Sequence, residues 1–134
     1  MAGELTTAGA NLALNRTFRN TGTSPTTLYL GLATVALTDA STLGDITEVS
    51  TAGYARQAVV FTAPAGDPSA IENTAQIDFG PFSANPPAVA FAFVTDAASG
   101  TSGTIYAFWS GTSVDAGSGE SIRVAAGDLD FTLD

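Results

Sequence analysis

From residue 28 onward, apolar and polar positions follow a period of two. Leu28, Leu30 and Leu32 alternate with Tyr29, Gly31 and Ala33, the repeat of a strand with one buried face. Residues 54–61 continue the pattern. So do residues 73–79, with Ile77 and Phe79 on one side, and the run in which Val89, Phe91 and Phe93 alternate with Ala90, Ala92 and Val94. Residues 104–110, which carry Tyr106, Phe108 and Trp109, form a further strand, and 121–126 and 129–133 are the last two. Pro64, Gly66, Asp67 and Pro68 punctuate the chain, as do Pro81, Pro86 and Pro87. The small-residue stretches 97–103 and 115–119 read as turns, the first closing a hairpin. Residues 35–53 are polar and turn-rich, an excursion with little regular structure. Short strands separated by Gly, Pro and Ser turns predict an all-β fold, an antiparallel, jelly-roll-like β-sandwich. No helical pattern of about 10–15 residues lies between the strands, which argues against a parallel α/β sheet.

Before residue 25 the period is different. Thr6 or Thr7 can cap a helix over about 6–20, and Gly22 with Ser24-Pro25 ends it. At 100° per residue, Leu5, Ala8 and Leu12 share one face, while Leu14 and Phe18 fall near the opposite one. The second apolar side either touches another molecule or is covered by the domain itself. Because short helices depend on local packing, cover by the domain is the preferred expectation. The 134 residues show no repeat and no shift in composition, so residues 1–134 are read as one domain. A chain of this size buries roughly 68% of its unfolded surface, enough for a core without staples.

Composition narrows the chemistry. The chain has no Cys, His or Lys, and its four basic residues are Arg16, Arg19, Arg56 and Arg123. Thiol and histidine-assisted nucleophiles, ordinary zinc sites, Schiff bases and phosphate-loop lysines are therefore excluded. No catalytic residue, cofactor or metal is expected. The net charge of −9 disfavours nucleic acid and anionic membranes as partners. No apolar run approaches about 18 residues, so no membrane-spanning helix is expected. The opening Met-Ala-Gly-Glu lacks the basic and apolar regions of a secretory signal, and none is expected. Only 13% of residues are charged, against about 25% in a typical chain. Such a surface suits contact with other proteins.

Three groups of side chains merit weighing. Asp39, Asp45 and Glu48 share a loop and Asp128 lies close to Asp130, but the spacing matches no calcium loop. Solvated carboxylates are the simpler reading. Tyr106 and Trp109 offer an aromatic surface on which a sugar can stack, although the average burial of Trp favours a core position for Trp109. Arg56 sits among apolar neighbours at the start of a strand, and its planar fork can bridge a carboxylate and backbone carbonyls. Glu48 is its candidate partner. The preferred role is a clamp within the domain that holds the 35–53 loop.

The chain also resembles a known family. The residues that carry the likeness are Leu-Thr-Thr-Ala-Gly-Ala-Asn-Leu-Ala-Leu (5–14), the strand at 28–33 and Glu-Val-Ser-Thr-Ala-Gly-Tyr-Ala-Arg-Gln (48–57). They continue through Asn-Thr-Ala-Gln-Ile-Asp-Phe (73–79), an Ala/Val/Phe-rich strand and the closing segment 116–131. Together they resemble small structural proteins of tailed bacteriophages, which are labelled tail-fibre-like, minor tail or capsid decoration proteins. The resemblance implies a β-sandwich without catalytic residues, located in the virion and assembled in the host cytoplasm. It implies the major capsid protein or other virion proteins as partners, and self-association, with a trimer favoured. A capsid decoration or cement role is the first expectation; a tail or fibre-attachment component and a carbohydrate-binding module are the alternatives. Leu14, Phe18, Glu48, Tyr54, Arg56 and Gln57 are the expected protein-interaction residues.

Overall fold

The apolar alternation at 89–95 and 105–114 pairs these two strands into the central hairpin of the structure, a computed structural model that describes residues 2–133. Along the chain, β1 is Gly3–Leu5, α1 Thr7–Leu14, β2 Leu28–Ala33, β3 Gln57–Val59 and β4 Ser69–Glu72. β5 is Ile77–Phe79, β6 Val89–Thr95, β7 Ile105–Val114, β8 Ile122–Val124 and β9 Asp130–Leu133. Five strands form one antiparallel sheet in the order β1-β7-β6-β2-β3. The facing layer is two separate ribbons, β4 with β9 and β5 with β8, rather than one continuous sheet. The fold is thus the all-β sandwich with one N-terminal helix that the patterning predicts.

The main core lies between these layers. Leu30, Leu32, Val94 and Trp109 from the sheet meet Ile77, Phe79, Val124 and Leu129 from the ribbon side. Trp109, stacked near Phe61 and tilted against Phe131, donates its indole N–H to the Asp130 carbonyl at 3.1 Å. The expectation that β2 buries one face needs correction. Leu30 to Ala33 are all buried, because a second cluster covers the outer face of the sheet. Phe93, Ile105 and Phe108 there meet Leu37 and Leu43 of the irregular 35–53 loop, and Ile46 packs beside them. The loop lacks regular structure as expected, yet it works as a third, irregular layer.

Boundaries moved where tertiary pairing overrode the local pattern. The strand expected over 54–61 shrinks to β3, because Tyr54 and Arg56 turn toward the loop. The strand expected over 73–79 narrows to β5. β4 was not anticipated behind Gly66 and Pro68; it forms because residues 69–72 find a partner in β9. Gly31 stands opposite Phe93, and a Cβ there would lie 2.3 Å from the Phe93 ring. The missing side chain lets that ring lie flat on β2.

Asn73 joins the two ribbons. It is buried, its amide donates to the Ala75 and Ala125 carbonyls at 2.9 Å each, and its side-chain oxygen accepts from the Leu129 N–H at 2.9 Å. Its backbone N–H reaches the Leu129 carbonyl and its own carbonyl accepts from Gly127.

Candidate protein-interaction surface

The six candidate interaction residues separate into two places. Glu48, Tyr54 and Arg56 converge in one network. The Glu48 carboxylate accepts from Arg56 Nε at 2.8 Å and Nη2 at 2.7 Å, a bidentate ion pair. It also accepts from the Tyr54 hydroxyl at 2.6 Å. Arg56 donates further to the carbonyls of Ala97 and Gly100, both at 2.9 Å, and its guanidinium lies 5.5 Å from the centre of the Phe93 ring. Backbone bonds place Glu48: Thr34 donates to Thr47 and Val49 donates to Leu32, so residues 47–49 run along β2 beyond the end of β3. The Tyr54 hydroxyl accepts from the Leu32 N–H at 2.9 Å and fills the gap between them. Its ring stacks on Phe79 with centroids 5.8 Å apart.

This is the clamp within the domain expected of Arg56. It ties the long loop to the 97–103 turn and to β2. Burial, then the bond to Glu48, pushes the Tyr54 hydroxyl far above the ordinary tyrosine range. The hydrogen bond to Glu48 raises Arg56 against the opposing effect of burial. Gln57, half-buried, spends its amide on the neighbouring Ala55 carbonyl.

Leu14 and Phe18 stand elsewhere, on the far end of the helix. Thr6 is the cap, as one of the two expected threonines; its hydroxyl accepts from the Gly9 N–H and donates to the Ile105 carbonyl at 2.6 Å. Thr6 and Thr7 also donate their N–H groups to Tyr106 and Asp39. Gly9 is the residue of α1 that is buried, and a Cβ there would collide with the Tyr106 carbonyl oxygen at 2.0 Å. The helix is therefore pinned at its base. Its end continues as a π-helical turn, Asn15–Arg19, closed by Asn20 in the left-handed region. The expected cover of both apolar sides by the domain is not found. Leu14 is 56% exposed and Phe18 is 78% exposed, because only the first turn reaches the sheet. Arg16 and Arg19 flank Phe18, and among the described residues they bond only to the Gly22 carbonyl and the Asn15 side chain.

The aromatic pair does not form a platform. Trp109 is 1% exposed. Tyr106 lies apart from it and donates to Asp96 at 2.9 Å, while the other Asp96 oxygen accepts from the Thr104 N–H. Burial, then Asp96, raises the Tyr106 hydroxyl above its usual range. Asp128 precedes β9, which starts at Asp130, and accepts from the Ala125 N–H across a turn. No group of acidic residues among the described residues is arranged to hold a metal. No helix among them is long and apolar enough to cross a membrane.

One feature escaped the patterning. A groove of about 530 Å³ opens between the β1 edge and the β4–β9 ribbon, lined by Leu5, Phe61, Ile71, Phe131 and Leu133. Leu133 is 71% exposed at its rim. Its walls come from both ends of the chain, so no local window reveals it.

A family model described as "Podophage GP4 fiber I protein gp80" matches residues 4–132. No curated protein matches the chain.

Proposed function

The chain belongs to the podophage GP4 fiber I protein gp80 family, a family of tailed-phage structural proteins, and on that premise we propose that it is a fibre-associated virion component working through protein–protein contact. The family's description supports the fibre. The observation that carries the contact role is the tip of the helix, where Leu14 and Phe18 are exposed side by side with two arginines on an otherwise acidic chain. Exposed apolar groups clustered with arginine mark interaction surfaces more than scattered ones do. The Glu48–Tyr54–Arg56 network serves this surface indirectly, by holding the loop layer on the sheet.

The test is incorporation. Particles produced with Leu14→Ser and Phe18→Ser together are expected to lack the protein, while the isolated variant keeps its unfolding midpoint. Normal incorporation would overturn the contact role of the tip. Densitometry of purified particles checks the location. A fibre component is present at a low copy number fixed by the rotational symmetry of the tail. The capsid cement role instead requires a copy number that follows the capsid lattice, and finding it would replace the fibre assignment.

A further inference from the structure

We propose that the tip of α1 seats in the apolar groove of a second copy of this chain. The proposal rests on the contact role given to the tip above and names its partner. Leu14 and Phe18 are the projecting elements; the groove beside Leu5 and Leu133 is the receiving one.

Three observations select a second copy as the occupant. The chain cannot satisfy itself. Thr7 to Arg19 is a continuous helical rod of roughly 20 Å at 1.5 Å per residue, and its base is fastened next to Leu5. The tip does not fill the groove of its own chain: neither Leu14 nor Phe18 lines it, and both are exposed.

Charge points the same way. Residues 5–38 contain no acidic residue and two arginines, while all acidic residues except Glu4 lie from Asp39 onward. Arg56 and Arg123 are each paired with a carboxylate, Glu48 and Asp78. Arg16 and Arg19 make no ion pair among the described residues and bond only to neutral oxygens. The tip is a cationic end on a body of opposite sign, so it is attracted to another copy's body and repelled by another copy's tip. Exposed Asp67, in the turn between the groove residues Pro64 and Ser69, places acid beside the receiving surface.

Chemistry completes the match. A Phe and a Leu bracketed by arginines suit an apolar groove with an acidic margin. Because projecting and receiving surfaces differ, each copy has one of each to offer, and the contact can repeat from copy to copy. Repeated head to tail, it builds a closed ring or an open chain. The trimer expected from the family resemblance is a closed ring of this kind. The tip is small beside the roughly 1,000 Å² of a stable interface. Dilute protein is therefore monomeric, and assembly appears at a dissociation constant on the order of 0.1–1 mM.

The experiment is sedimentation velocity on the isolated chain, from about 10 μM to about 1 mM. The average mass of the unaltered protein is expected to rise with concentration. Phe18→Ser, which removes the tip, and Leu133→Arg, which puts a cation at the groove, should each weaken association at least about tenfold. Mixed in equal amounts, the two variants should form a one-to-one dimer and nothing larger, since only one intact tip and one intact groove meet. Leu14→Ser and Leu5→Ser serve as the second tip and groove variants should a first one unfold, as judged by circular dichroism. A monomer throughout the range, a variant that assembles like the parent, or a mixture that stays monomeric overturns the proposal. If the parent stays monomeric while the tip variants still fail to enter particles, the contact role stands with a different partner.

Discussion

Removing either end of the Glu48–Arg56 pair should destabilise the fold, but not equally. The Arg56 side chain is 3% exposed and that of Glu48 is 25% exposed. Glu48→Ala leaves a guanidinium buried with two carbonyls and the Phe93 face, and no anion. Breaking a buried pair this way costs about 3–5 kcal/mol. Arg56→Ala leaves a carboxylate that water already reaches and that keeps the Tyr54 hydroxyl. Its loss is the charge-assisted bonds, at about 1.5–3 kcal/mol each before non-additivity and screening, and a cation–π contact worth about 0.5–1 kcal/mol. A net cost of about 2–3 kcal/mol follows. In a chain of this length each kcal/mol moves Tm by roughly 3–5 °C. Urea unfolding followed by the single tryptophan, Trp109, measures both variants. The double variant completes the cycle and should cost less than the sum of the singles by about 1–3 kcal/mol. The reasoning fails if Arg56→Ala is the costlier change, if the two effects add, or if either variant lies within about 0.5 kcal/mol of the parent.

Tyr54 should make the protein sensitive to alkali. Its folded-state hydroxyl holds its proton above the unfolded value of 10.0, so its contribution is complete below pH 10 and declines as pH rises beyond it. There the unfolded chain sheds a proton that the folded one retains, at about 1.4 kcal/mol per pH unit. Urea midpoints between pH 9 and 11.5 should therefore fall more steeply for the parent than for Tyr54→Phe; parallel curves would contradict this. Asn73→Ala removes three buried hydrogen bonds and leaves the Leu129 N–H and the Ala75 and Ala125 carbonyls without their side-chain partner. A loss of about 2–4 kcal/mol is expected in the same assay. Asn73→Asp, which turns an oxygen toward two carbonyls, should be at least as damaging. Gly31→Ala forces a methyl into the Phe93 ring, a cost of about 1–3 kcal/mol, and Phe93→Ala should relieve part of it when combined.

Strands with uninterrupted alternation were legible because period two is a local property. β2 and β8 fall within the windows their side chains mark, and β6 overruns its window by one residue, Thr95. The clamp was legible in part: an arginine among apolar residues needs an anion, and Glu48 lies eight positions earlier. Features that depend on distant pairing were not. β4 exists because β9 lies 61 positions along the chain from it. Asn73 is buried because Ala125 and Leu129 return to it, and nothing near residue 73 announces this. The second buried face of β2 depends on where Leu37 and Leu43 fold back, a property of the loop's path rather than of its composition. The groove joins the two ends of the chain and has no signature in any window.

The helix shows how a correct local pattern led to a wrong expectation of burial. Two apolar faces on a short helix require two covers only if the helix lies along the body. Here the contacts are concentrated at one end: Thr6 and Thr7 fasten the base, and Gly9 admits the sheet backbone at a distance no other residue allows. Beyond that turn, from Ala13 to Arg19, Asn15 is half-buried and every other residue is exposed. A free helix of this length is marginal in water, so the base holds the tip in shape. An exposed Phe beside two arginines is then a projection with a fixed direction. A protein assembling by repeated copies needs that kind of element. It brings the same side chains to each neighbour at the same angle, and little conformational freedom remains to be lost on contact.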